Sequence, residues 1–198
     1  MSDPIDDAVR AALAGEPIVM PTDTVYGIGT RPDDPAATSK LFEAKGRPPD
    51  LELPVLVAAA RDARRIAVFD ERAEILAGRF WPGALTVVLP RAEAAREWDL
   101  GGDPATVGVR MPHHPMALAV LARTGPLAVT SANRSGEPTP STCEGLHRVF
   151  GERVSVYLCE EAPLAGRPST VVDLAHGRLR ILREGGLGAT VLSLLEGT

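Results

Sequence analysis

Residues Pro21 to Gly29 read Pro-Thr-Asp-Thr-Val-Tyr-Gly-Ile-Gly and follow the short apolar run Ile18-Val19-Met20. An apolar run of this length beside turn-forming residues predicts a buried strand. A polar, glycine-containing segment at a strand end is where α/β proteins place ligand contacts. The hydroxyls of Thr22, Thr24 and Tyr26 are donors and acceptors, and Gly27 and Gly29 permit close backbone approach. Clusters of Thr, Asp and Gly also form ordinary turns. The rest of the chain decides between the two.

Strand-like runs recur on both sides of predicted helices. Ile5, Val9, Ala12 and Leu13 share one helical face, with Gly15 as a stop. Asp34-Pro35 offers an N-cap and a first-turn proline to a helix that carries Leu41 and Phe42 inward and ends at Gly46, with Lys45 on its last turn. Pro54–Ala58, Ala84–Leu89, Val107–Met111, Leu127–Thr130, Val154–Leu158, Thr170–Leu174 and Leu179–Leu182 read as strands. Asp70–Phe80 and the segment after His114-Pro115 read as helices, Trp81-Pro82-Gly83 as a turn, and Arg91–Asp103 as loop. Ser141 with Glu144 is a capping box for a further helix, and Ala189–Leu195 is amphipathic. Helices alternate with strands early and strands crowd late, so the expectation is an α/β fold with a mixed sheet, one domain over residues 1–198.

Composition narrows the function classes. The chain of 198 residues is 44% hydrophobic and 24% charged, ordinary values for a globular protein, with a formal charge of -5 that argues against a globally basic nucleic-acid binder. Cys143 and Cys159 lack CxxC spacing, so neither a disulfide framework nor a zinc site is expected, and a reduced, cytoplasmic protein is the plain reading. No signal peptide and no membrane-spanning run is read.

Four polar segments follow or flank strands: Thr22–Tyr26, Lys45–Arg47, Ser131–Asn133 and Ser169–Thr170. Arg110 and Arg183 sit on or just after strands. Convergence of these groups makes a pocket for a phosphate-bearing polyanion, since Arg gives forked contacts and Lys a point charge. No Walker A or GxGxxG motif is present. Lys45 and Arg47 also suit a helix C-terminus as dipole partners. Arg110, inside an apolar run, calls for a carboxylate or a ligand phosphate. His113-His114 read as helix-entry residues, His147 and His176 as isolated, and no metal ligands or covalent nucleophile are assigned.

Five motifs in order then carry a resemblance: Pro21–Gly27, Lys45-Gly46-Arg47-Pro48, Val109-Arg110-Met111-Pro112, Ser131-Ala132-Asn133 and Pro168-Ser169-Thr170-Val171-Val172-Asp173, with Trp81-Pro82-Gly83 between them. Together they are similar to the YrdC/TsaC family of threonylcarbamoyl-AMP synthases, from about Ile5 to Leu195. The resemblance implies a twisted mixed sheet wrapped by helices around a large, positively charged cavity. It implies that L-threonine, bicarbonate or carbon dioxide, and ATP give threonylcarbamoyl-adenylate and diphosphate, for modification of tRNA beside the anticodon by downstream transfer proteins. Carried over by motif, Lys45 and Arg47 hold ATP phosphates and are the catalytic pair. Asn133, Ser141 and Arg183 add nucleotide contacts, Thr22, Tyr26, Ser131 and Ser169 lie near threonine, and Arg110 stands where the substrates meet. Magnesium is expected to come with ATP. Asp50-Leu51-Glu52-Leu53-Pro54 departs from the Asn-Pro-Leu of many relatives, and Ala58 falls near the place of their histidine. The extra C-terminal domain of longer relatives is not expected. Two other readings compete: a non-catalytic RNA-binding module using the same basic cavity, and an adenylating enzyme with another carbamoyl donor, as in hydrogenase-maturation proteins.

Overall fold

The computed structural model describes residues 3–164, 166–187 and 190. Helix α1 (Pro4–Leu13) opens on Asp3, whose side chain accepts from the Ile5 amide, with Pro4 where a missing N–H costs nothing. Strand β1 (Ile18–Met20) and β2 (Gly27–Thr30) form an antiparallel pair around the Thr22–Tyr26 segment. Helix α2 (Pro35–Lys45) starts at Asp34, capping Ala36, and stops at Gly46, whose left-handed φ of 59° suits glycine. Then come β3 (Val55–Leu56), α3 (Ala60–Ile66), α4 (Glu71–Phe80) and β4 (Leu85–Pro90). They are followed by β5 (Thr106–Arg110), α5 (Pro115–Thr124), β6 (Leu127–Ser131), α6 (Cys143–Phe150), β7 (Val156–Tyr157), β8 (Thr170–Asp173) and β9 (Arg180–Arg183).

The nine strands among the described residues form one mixed sheet in the order β7-β1-β2-β6-β3-β5-β4-β8-β9. The pairs β1–β7, β3–β5 and β4–β8 are parallel and the others antiparallel. Alternation along each strand sends side chains to two cores. Val19, Ala128, Val87, Val109 and Val172 join Leu41, Ile66, Leu76 and Phe150 beneath α2, α3, α4 and α6. Ile18, Met20, Leu127 and Val129 meet Val9, Ala12, Val120 and Leu121 of α1 and α5 on the opposite face. On β4 and β5 the alternate residues Thr86, Val88, Gly108 and Arg110 line a cavity instead.

Several expectations are corrected. Gly27–Thr30 is a strand, because β2 is paired on both sides, by β1 and β6. A Cβ at Gly29 would stand 2.6 Å from the Ala128 carbonyl oxygen, so the glycine serves close approach of β6. The cap of α6 is Thr142, bonded to the Gly145 amide, rather than Ser141 with Glu144. Residues 93–95 make a 3-10 turn in the segment read as loop, and α3 was not foreseen. The helix expected over Ala189–Leu195 falls, apart from Thr190, outside the described residues. No helix among the described residues is long and apolar enough to cross a membrane.

The cysteines are also corrected: Cys143 on α6 and Cys159 beyond β7 are joined in a disulfide. Opening a loop of this size, closed by residues 16 apart, relaxes the unfolded chain by about 3 kcal/mol in the chain-entropy account. Cys143→Ser with Cys159→Ser is therefore expected to lose about 3 kcal/mol of unfolding free energy in urea titration. Wild type in strong reductant should fall to the same midpoint. Equal midpoints with and without reductant would remove the bond from the account.

Candidate active site

The cavity, about 390 Å³, lies where the ends of several strands meet the Thr22–Tyr26 segment. Thr22, Tyr26, Arg47, Arg110, Ser131, Ser169 and Arg183 all line it, drawn from sequence positions up to 161 residues apart. Lys45, Asn133 and Ser141 are not among its lining residues. Sequence reasoning assigned no role to Glu52, Thr86, Leu51 or Leu182, which do line it. The alternation Leu85-Thr86-Val87-Val88-Leu89 held the signal for Thr86, a hydroxyl on the face opposite a run of core residues.

One wall is built from hydroxyls. Thr22 Oγ1 donates to the Val25 carbonyl at 2.6 Å and pairs with Thr24 Oγ1 at 2.9 Å, so a self-closed turn presents the segment. The Tyr26 ring is fully buried and its hydroxyl accepts the Glu160 amide at 2.9 Å. Chain 166–169 presses on the same turn: a Cβ at Gly166 would fall 1.7 Å from the Thr24 carbonyl oxygen. Ser169 Oγ then bonds Thr86 Oγ1 and accepts from Arg183, each at 2.9 Å.

The cations are held differently. Arg110, 6% exposed, donates to Gly83 O at 2.9 Å, Thr24 Oγ1 at 3.0 Å and Asp23 Oδ1 at 2.6 Å. Its required partner is thus a carboxylate, and Asp23 in turn takes the His113 amide at 2.9 Å. Arg47 spends its fork on the carbonyls of Leu51 and Glu52, at 3.1 and 2.9 Å. Arg183 grips Ser169 through both its carbonyl and its hydroxyl. Among the described residues neither Arg47 nor Arg183 makes an ion pair. Burial lowers both from the ordinary arginine value, and the field of Arg183 adds to the effect on Arg47. Two guanidiniums that make no ion pair, close enough for the charge of Arg183 to act on Arg47, form a site that an anion stabilises.

Lys45 is 2% exposed and its ammonium donates to the carbonyls of Ser131 and Asn133. Burial, with Arg47 nearby, pulls it down to about 8. The Asn133 amide closes its own loop, donating to Arg134 O and Glu137 O and accepting from Thr139. Ser141 takes the Leu164 amide on its carbonyl. The histidines called isolated have partners too. His176 Nδ1 lies 2.9 Å from Asp173, and His147 stacks on Tyr157.

Glu52 is the sole carboxylate among the lining residues, and its Oε1 is buried without a hydrogen-bond partner. Burial pushes it up to about 7, against the pull of Arg91. The sign of its linkage follows. Below the unfolded value, near 4.5, both states are protonated and nothing is lost; above about 7 the folded state must hold a disfavoured charge. Glu52→Gln is expected to match wild type near pH 4.5 and to gain about 1–2 kcal/mol above pH 7, after discounting for partial solvent access. Thermal unfolding across pH 4–8 reads this. A constant offset at all pH values would contradict it.

The Sua5/YciO/YrdC family profile, described as "Telomere recombination", matches residues 10–185. A Mycobacterium tuberculosis relative is 42% identical over 182 residues, covering 91% of this chain and 83% of its own. The Threonylcarbamoyl-AMP synthase of Pyrococcus abyssi is 39% identical over 175 residues, 87% of this chain and 51% of that protein, so this chain spans about half its length. The crystal structure of P. abyssi Sua5 complexed with L-threonine superposes with a TM-score of 0.87 at 34% identity, over 100% of this chain and 59% of that one. The family profile spans most of the chain and the fold superposes on that of a relative, so the chain belongs to the Sua5/YciO/YrdC family.

Proposed function

We propose that this chain is a threonylcarbamoyl-AMP synthase, joining L-threonine, bicarbonate or carbon dioxide, and ATP. The observation that carries the reading is the cavity itself: two guanidiniums without carboxylate partners, Arg47 and Arg183, share it with the hydroxyl wall of Thr22, Tyr26, Ser131 and Ser169. The first half suits a triphosphate and the second a small hydroxy amino acid. Relatives of this chain carry the synthase name, and one was crystallised with L-threonine.

In this reading threonine lies against the hydroxyl wall with Arg110 at its border with the nucleotide. The deprotonated amine attacks carbon dioxide, forming the N–C bond of a carbamate and releasing a proton. A carbamate oxygen then attacks the α-phosphorus as the bond to the β-phosphate breaks and diphosphate leaves. Negative charge is spread over the phosphoryl oxygens, and preorganised cations lower that barrier most. We assign Lys45 and Arg47 as the catalytic pair. Arg47 acts from the cavity wall, and Lys45 from beneath the Ser131–Asn133 segment that its ammonium braces. Arg183 adds the second fork, while Asn133 and Ser141, which lie outside the cavity lining, are proposed as further nucleotide contacts.

Among the described residues no three His, Cys, Asp or Glu side chains gather as a metal site. Magnesium is proposed to enter on the phosphates of ATP. The adenylate product would pass in the cytoplasm to proteins that modify tRNA. Incubation with ATP, L-threonine and ¹⁴C-bicarbonate tests the reading: label should appear in a compound that contains both threonine and AMP. Label that never leaves bicarbonate would refute it.

A further inference from the structure

The Cys143–Cys159 bond joins two segments that each lead to the cavity wall. The chain that ends at Cys143 starts from Ser131, a lining residue, and is exposed over residues 134–138. Lys45 fixes the start of that loop. Its ammonium donates to the Ser131 and Asn133 carbonyls, and its own carbonyl accepts the Ser135 amide at 3.1 Å. The far end is fixed by the disulfide. Cys159 in turn directly precedes Glu160, whose amide donates to the hydroxyl of Tyr26, another lining residue. One covalent bond therefore ties the loop that begins at Ser131 to the backbone that holds Tyr26. Other ties run alongside it: the Leu164 amide donates to the Ser141 carbonyl at 2.8 Å, and His147 stacks on Tyr157 with ring centroids 3.7 Å apart. These keep α6 beside the 157–164 segment when the sulfurs part, so the bond can close again.

We propose that Cys143–Cys159 is a thiol–disulfide exchange site, and that its opening by a dithiol reductant loosens the Ser131 and Tyr26 side of the cavity. Both cysteines are partly exposed, so the sulfurs are not sealed in a core. Cys143 opens α6, where the helix dipole and free amides favour a thiolate and make it the better leaving group. The reductant's thiolate attacks Cys159 Sγ, the bond between the two cysteines breaks, and Cys143 leaves as thiolate. The reductant's second thiolate then attacks the mixed disulfide, which frees Cys159 and closes the reductant's own disulfide. Two electrons pass from dithiol to cystine, and the dithiol's two protons end on Cys143 and Cys159. The consequence for affinity rests on the reading that threonine lies beside Tyr26 and Ser131; the exchange itself does not.

The test compares the full chain oxidised, after dithiothreitol without denaturant, and after reoxidation with oxidised glutathione. Alkylation with iodoacetamide and mass measurement count the thiols, and circular dichroism verifies the fold. Reduction is expected to yield both thiols and to cost the Glu160 and Leu164 amides their protection in hydrogen exchange, while α1 and α5 keep theirs. Calorimetric affinity for L-threonine should fall about fivefold, and reoxidation should restore it. Cys143→Ser with Cys159→Ser should match the reduced chain and ignore both reagents; should it fail to fold, the wild-type cycle still decides. A bond that dithiothreitol opens only in denaturant would be a structural staple and would overturn the proposal. Free thiols with unchanged protection and unchanged threonine affinity would overturn it as well. A chain that binds no threonine in either state would remove the threonine reading alone. The exchange site would then stand on lost amide protection and fall without it.

Discussion

Arg110→Leu is expected to destabilise the protein by about 3 kcal/mol or more, the range for a buried ion pair that loses one partner. Arg110 and Asp23 have side chains only 7% and 16% exposed, 2.6 Å apart. Removing the guanidinium leaves the Asp23 carboxylate with one described donor, the His113 amide, and strips a donor from Thr24 Oγ1 and from the Gly83 carbonyl. Desolvation of Arg110 is thereby offset only in the intact pair. The prediction has a second half: Asp23→Asn with Arg110→Leu should recover part of the loss, because the stranded charge is gone. Urea titration of both single variants and the double variant gives the coupling. A double variant no better than Arg110→Leu would mean that the carboxylate is not what makes the substitution costly.

Arg47→Ala and Arg183→Ala should do the opposite. Neither arginine has an ion-pair partner among the described residues, and the two repel each other. Stability is expected to change by no more than about 1 kcal/mol. Activity should fall by roughly 10²–10³ in kcat for each, the scale found when one preorganised donor to a developing negative charge is removed. Arg47→Lys distinguishes charge from geometry. It keeps the cation but loses the fork that holds Leu51 and Glu52, so a loss near that of alanine is expected. Loss of stability in step with loss of activity would turn these arginines into structural braces.

Local chemistry explains which elements were legible. Asp34-Pro35 and Gly46 bound α2 by side-chain cap and left-handed glycine, both printed in the sequence. Helix α3 has no side-chain cap: Ala59 stands at its N-cap, and only Ala63 and Ile66 are buried within it. Strand β2 reads Gly-Ile-Gly-Thr, weak strand formers whose extended state depends on β1 and β6. Site residues on strands were legible because polar groups break apolar alternation, as Arg110 does. Their partners were not: Asp23 lies 87 residues from Arg110, and Ser131 and Asn133 lie 86 and 88 from Lys45. The Cys143–Cys159 contact likewise depends on how α6 packs beside β7. Spacing carried no signal for it.

The central claim is that one cavity joins threonine, carbon dioxide and ATP. Diphosphate release with each substrate omitted in turn tests it most directly. Release is expected to require ATP, L-threonine and bicarbonate together and to be nearly abolished by Arg47→Ala. Release that continues without threonine, or none from a folded protein that binds ATP, would contradict it.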